Sequence, residues 1–132
     1  MNVSPPEQLR FSKLWTALGI GMLIVILALS LIPYTGPIFP ITFADKLLHA
    51  LAFTTLIVWF SALVAQDRWP ELFGLLLVYG VFMEVLQYFT GYRIMDWQDI
   101  VADVLGLTIG WGMMTVGCAN WARSIERLLG AR

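Results

Sequence analysis

Charge is scarce in this sequence. Lys, Arg, Asp and Glu together make 13% of the 132 residues, about half the roughly 25% of a typical soluble domain. The net charge of −1 is too small to steer a highly charged partner. No run of Lys and Arg marks a nucleic-acid surface. Cysteine is nearly absent: Cys118 alone excludes an internal disulfide framework and a multi-cysteine metal centre. It lies in an apolar stretch and reads as a small buried hydrophobe. The sequence has one histidine, His49, and neither a repeat nor a low-complexity segment.

What fills the chain is apolar. Hydrophobic residues make 59% of it and the mean hydropathy is +0.78. A soluble fold of that composition would expose large greasy patches, and the length leaves room for one small domain. A helix needs about 20 mostly apolar residues to cross the hydrocarbon core of a bilayer. Four segments qualify: about Leu14 to Ile32, Leu47 to Ala65, Leu72 to Thr90 and Ile100 to Trp121. The expected architecture is an all-α bundle of four antiparallel transmembrane helices at 14–121, with a cytoplasmic N-terminal segment at 1–13 and a cytoplasmic tail at 122–132. Prolines and glycines punctuate the connections, as in Pro33-Tyr34-Thr35-Gly36-Pro37, Arg68-Trp69-Pro70 and Gly91-Tyr92-Arg93. The first apolar run exceeds the roughly 7–15 residues of a signal-peptide core, so it is expected to be a span.

Basic residues set the expected orientation. With the N-terminus inside, Arg10, Lys13, Arg68, Arg123, Arg127 and Arg132 fall on the cytoplasmic side, and Lys46 and Arg93 fall outside. Trp15, Trp69, Trp97 and Trp121 lie near span ends, where amphipathic rings prefer to sit.

In this topology the polar residues gather in the outer leaflet. Asp45, Lys46 and His49 begin the second span; Glu84 and Gln87 lie near the outer end of the third; Arg93, Asp96, Asp99 and Asp103 lead into the fourth. Glu84 and Asp103 sit roughly 9 Å below the outer ends of their helices, at 1.5 Å per residue. The spacing 3, 4, 3, 4, 3, 4 places Asp96, Asp99, Asp103, Gly106, Gly110, Met113 and Gly117 on one helical stripe. Small residues let a neighbouring helix approach, so this stripe is expected to face protein. Phe73, Leu77, Gly80 and Glu84 form a similar stripe in the third span.

Not every polar residue here requires a function. Asp45, Asp96 and Asp99 suit helix N-termini, and a single interior histidine can be a satisfied core group. Glu84 and Asp103 are different, because a carboxylate inside a span costs roughly 2.5–3.5 kcal/mol even on the lenient insertion scale. With His49 neutral, the outer charges sum to −3. Such a cluster must protonate a carboxylate, bind a cation, or keep its loop carboxylates solvated. A protonated carboxyl beside an ionised one is an acid/base pair. The same donors suit a hard cation, although their spacing matches no metal motif.

These residues carry a family resemblance. Asp45-Lys46-x-x-His49-x-x-x-Phe53, Glu84-x-x-Gln87, and Arg93-x-x-Asp96-x-x-Asp99 before Asp103, Gly106 and Gly110 together resemble the VanZ-like family. The resemblance covers about 80 residues from Asp45 onward; the first span carries no matching motif. It implies a small bacterial multi-pass membrane protein. The family is named for a member linked to teicoplanin resistance, and the name carries no reaction with it. Asp103 stands where an asparagine would also fit, which makes this cluster unusually acidic.

The expected function is a polar, acidic outer-leaflet pocket for a membrane lipid, a lipid-linked envelope molecule or another amphiphile. The protein would either act on that molecule chemically or sequester it, as in protection against a lipoglycopeptide drug. Asp45, Lys46, Gln87, Arg93 and Asp96 would bind it, with Lys46 and Arg93 on an anionic head. His49, Glu84, Asp99 and Asp103 would transfer protons or hold a cation. A proton-coupled exporter is the alternative, but four-span exporters keep their essential glutamate in the first span, which here is uncharged. A structural assembly partner is a third reading; contacts between polar residues of membrane helices average only about 0.6 kcal/mol. A second copy of the chain is a further partner the sequence leaves open.

Overall fold

The computed structural model describes residues 9–33 and 41–130. Its elements are five α-helices: α1 (Ser12–Ser30), α2 (Ile41–Ser61), α3 (Trp69–Phe89), α4 (Trp97–Thr115) and α5 (Trp121–Leu128). Short 3-10 turns precede α3 and α5. Among the described residues three helices are long and apolar enough to cross a membrane, and α4 with the segment after it adds a fourth if that pair, bent by 78°, counts as one span. The fold is an all-α membrane bundle. Its exposed positions are greasy, with Ile24, Leu75, Val78 and Ile109 all more than half exposed. In water such a surface would aggregate; in lipid it is solvated.

Two boundaries differ from those expected. The second helix begins at Ile41, six residues before Leu47, so Asp45 lies inside the helix and does not cap it. Lys46 and Arg93 supply the physical reason: each pairs with a carboxylate at this end, so charged residues are accommodated within the helix. The fourth helix stops at Thr115, short of Trp121. Gly117 adopts φ 106°, a left-handed conformation open to glycine, and the chain turns by 78° into α5. Much of the expected tail is therefore a docked helix. The expected turn between the first two spans lies, from 34 to 40, outside the described residues.

The most extensive pairing joins α2 to α4. Gly106 and Gly110 make it possible: a Cβ at Gly106 would overlap the Ala50 carbonyl, and one at Gly110 would overlap Ile57. Thr54 seals the contact by sharing its hydroxyl between the carbonyls of Ala50 and Gly106, both at 2.8 Å. Below Gly110 the stripe departs from its expected course. Met113 and Gly117 are exposed, and Met114, 2% exposed, takes the buried position. A straight helix drifts against a strict 3, 4 spacing, which explains the change. The apolar core runs through Phe53, Leu56, Ile57, Leu72, Leu76, Met83, Leu107 and Met114.

The two ends of the bundle are built differently. At one end Trp15, Trp59 and Trp121 pack edge to face or tilted, with centroids 4.5 to 6.0 Å apart. Glu126 of α5 lies among them, 6% exposed. It accepts from the backbone N–H groups of Arg10 and Phe11 and from Trp15 Nε1, each at 2.9 Å. The polar cluster of Asp45, Lys46, His49, Glu84, Arg93, Asp96, Asp99 and Asp103 occupies the opposite end.

Candidate functional site

Three helices deliver the polar residues to one place. Asp45, Lys46 and His49 come from the first turns of α2, Glu84 and Gln87 from the last turns of α3, and Asp99 and Asp103 from the start of α4. Arg93 and Asp96 come from the connection between α3 and α4. Antiparallel neighbours bring these ends together because the connecting segments are short.

The contacts form a chain. Lys46 Nζ donates to Asp96 Oδ2 at 2.8 Å and to Asp99 Oδ1 at 3.1 Å, tying α2 to the start of α4. Asp96 is the N-cap of α4, accepting from Gln98 N at 2.9 Å. Lys46 and then the Gln98 N–H hold the Asp96 carboxyl below the usual carboxylate range. The Asp96 backbone N–H donates to Glu84 Oε2 at 3.1 Å, so α3 receives the same junction. Arg93 donates to Asp45 Oδ2 at 2.7 Å. Deeper in, His49 Nδ1 lies 2.8 Å from Asp103 Oδ1.

Burial deepens along that chain. Lys46, Asp45 and Arg93 are partly exposed, Asp99 is 3% exposed and His49 6%, and Glu84 and Asp103 are fully buried. Glu84 Oε1 and Asp103 Oδ2 have no hydrogen-bond partner. Gly80 makes room for Asp103, since a Cβ there would meet Oδ2. This close approach accounts for the glycine one turn before Glu84.

A cleft of about 200 Å³ opens between α1, α2 and α3 beside the cluster. Ile26, Leu29, Leu48, Ala52, Phe53 and Met83 form its apolar wall, and Asp45, His49, Arg93 and Ser30 supply its polar groups. The sequence led to an expectation of a polar, acidic pocket. The cleft is instead largely apolar. Glu84, Asp99 and Asp103 are not part of its lining; Asp103 lies behind His49, bonded to its Nδ1. Gln87 is 1% exposed and donates to the Ser30 carbonyl at 3.0 Å, which fastens α3 to the end of α1.

Several residues here escaped the sequence reading. Tyr79 donates to the Leu23 carbonyl at 2.6 Å and Tyr92 to the Leu31 carbonyl. These bonds position α1 as the outer wall of the cleft. A tyrosine in a span is a visible signal, since its hydroxyl requires a partner when buried, but its partner is a backbone carbonyl and leaves no mark in the sequence.

The family model described as VanZ/LLP1 matches residues 10–118. This match takes in α1, where the motif-based resemblance did not reach. No curated protein and no solved structure matches the chain.

Proposed function

The chain belongs to the VanZ/LLP1 family, and from that membership we propose that it binds an amphiphile of the lipid-linked envelope class. The binding place is the outer leaflet of a bacterial cytoplasmic membrane, with both termini in the cytoplasm and residues 14–121 as the membrane domain. One observation carries the reading: the cleft joins an apolar wall to Asp45, His49 and Arg93 at its polar end. A fatty chain suits Leu29, Leu48 and Phe53. The Arg93 guanidinium suits a phosphate or carboxylate, which it grips in a bidentate way. Lys46 adds a second positive charge at the same end. Drug-sized ligands occupy about 300–1,000 Å³, so a cleft of about 200 Å³ takes the head and the first part of a tail, leaving the rest in lipid.

His49, Glu84, Asp99 and Asp103 are the groups that move a proton or balance charge beside the bound head. A lipoglycopeptide drug combines a fatty chain with a polar body, so protection against such drugs is an expected phenotype of the same recognition.

The test uses the full chain in nanodiscs containing a photoreactive anionic lipid. Crosslinks are expected on α1 and α2 around Leu29 and Leu48. Ala52→Phe, which fills the cleft, should abolish them. Arg93→Gln should weaken capture about 10-fold or more, the scale of one charge-assisted hydrogen bond. Crosslinks spread evenly along the lipid-facing surface, unchanged by Ala52→Phe, would overturn the reading.

A further inference from the structure

The polar cluster has more negative charge than its own cations balance. Lys46 serves Asp96 and Asp99, and Arg93 serves Asp45. Among the described residues, Glu84 and Asp103 have no Lys or Arg partner; Asp103 has only His49. Both are fully buried, and each has an oxygen without a hydrogen-bond partner. Uncompensated negative charge is costly in so buried a cluster, and a bound cation nearby is one way to offset it.

Geometry locates where a cation would sit. One ligand atom each from Asp45, His49 and Asp99 lie within 4.8 Å of one another. Asp45 is one turn before His49 on α2, so both share a face, and Asp99 approaches from α4. His49, itself more than nine-tenths buried, lines the cleft. Its Nδ1 is held by Asp103 at 2.8 Å, which leaves Nε2 as the nitrogen for a ligand. That arrangement follows the habit of metal-binding histidines, whose second ring nitrogen donates to a carboxylate that fixes tautomer and orientation.

We propose that Asp45, His49 and Asp99 bind one divalent transition-metal cation, of the Zn²⁺ or Mn²⁺ type, with Asp103 as the positioning residue behind His49. One nitrogen and two carboxylates suit such an ion better than Ca²⁺ or Mg²⁺, which favour oxygen alone. Tetrahedral donors at about 2.1 Å stand about 3.4 Å apart, so the three side chains must draw inward on binding. Arg93 then leaves Asp45 and Lys46 leaves Asp99, and both cations become available to an anionic head in the cleft. The ion brings the cluster from −3 to −1 with His49 neutral. The site stands on its own geometry and does not require the amphiphile.

The experiment takes advantage of the single histidine. Full-length protein without a polyhistidine tag is stripped with chelator, and diethyl pyrocarbonate modification of His49 is followed with and without Zn²⁺ or Mn²⁺. Saturable protection at one equivalent is expected. Titration with Co²⁺ should give visible bands of a nitrogen-and-oxygen site, lost in His49→Gln and in Asp99→Asn. Asp103→Asn should weaken binding about 10–100-fold, the usual cost of losing such a partner. Asp67→Asn, at the opposite end of the bundle, should change nothing. An unchanged modification rate in the wild-type chain at millimolar Zn²⁺ and Mn²⁺ would overturn the site, and this measurement requires no variant to fold. Binding that survives in folded His49→Gln would overturn it as well.

Discussion

His49 on α2 and Asp103 on α4 meet at 2.8 Å in the fully buried part of the bundle, 54 residues apart in the chain. This pair joins the two helices that pack most closely, directly above the Gly106 seam. Its position makes the chemistry of the cluster and the packing of the bundle depend on the same contact.

The seam itself gives the clearest prediction. Gly106→Val places a branched side chain against the Ala50 carbonyl, where even a Cβ overlaps backbone. Overpacking of this kind costs about 1–3 kcal/mol or more. The variant should lose folded protein in a denaturant titration in mild detergent. Gly112→Ala, at a position with nothing within 4 Å, should behave like the wild type.

Glu84 separates an acceptor role from a charged one. Its Oε2 accepts from the Asp96 N–H, a bond that an amide oxygen can also accept. Glu84→Gln should therefore keep its thermal midpoint close to that of the wild type. Glu84→Ala leaves that N–H without its acceptor and should lose about 1–3 kcal/mol. Equal stability of the two variants would show that the bond contributes nothing. If Glu84→Gln is stable yet loses lipid capture, the missing charge is responsible.

Orientation is tested by labelling in a Cys118→Ser background. Ile94→Cys, at a residue 89% exposed at the polar end, should react with a membrane-impermeant reagent added to intact cells. Leu128→Cys, 87% exposed on α5, should react only after lysis. The reverse pattern would place the cluster and the cleft in the cytoplasmic leaflet.

Glu126 predicts a pH response at the tryptophan end. Burial pushes its carboxyl up, but the Phe11 N–H, the Trp15 indole and the Arg10 N–H outweigh it and hold the group below its ordinary value. A depressed folded value contributes stability above the unfolded pKa of about 4.3, and that contribution is lost as pH falls through the folded value. Docking of α5 should thus persist through the ordinary glutamate range and release only in stronger acid. Emission from the packed Trp15, Trp59 and Trp121 follows the release. Glu126→Gln should give at pH 7 the emission that the wild type shows only in acid.

The all-α membrane bundle and the gathering of polar residues at one of its ends were legible because both depend on composition and phase. Apolar runs mark the spans, and carboxylates at spacings of three and four fall on one face whatever the partner. The lower course of the stripe was not legible, since the drift from Met113 to Met114 emerges only when a real helix meets its neighbour. Nor was the bend at Gly117, because glycine serves close packing and left-handed turns equally well. Glu126 was hidden for another reason: its partners are backbone groups of Arg10 and Phe11, more than a hundred residues away. The cleft's apolar wall depends on α1, a helix with no pattern to read.

Between Trp15 and Leu31, α1 is held in a distinctive way. Trp59, Tyr79, Gln87 and Tyr92 reach it from outside, and each donates to one of its backbone carbonyls, at Trp15, Leu23, Ser30 and Leu31. These four bonds hold the main chain of the helix, in addition to the packing of its side chains Trp15, Met22, Leu23 and Leu27. Leu29, which walls the cleft, is 62% exposed and takes no part in this anchorage, so it can be exchanged for other apolar residues without disturbing it. Two descendants of one ancestor could keep the same buried cluster on α2, α3 and α4 and still diverge in the shape of the tail they accept. In such a protein ligand preference drifts along α1 while the charged machinery stays fixed, and swapping α1 between relatives becomes a direct way to exchange their specificities.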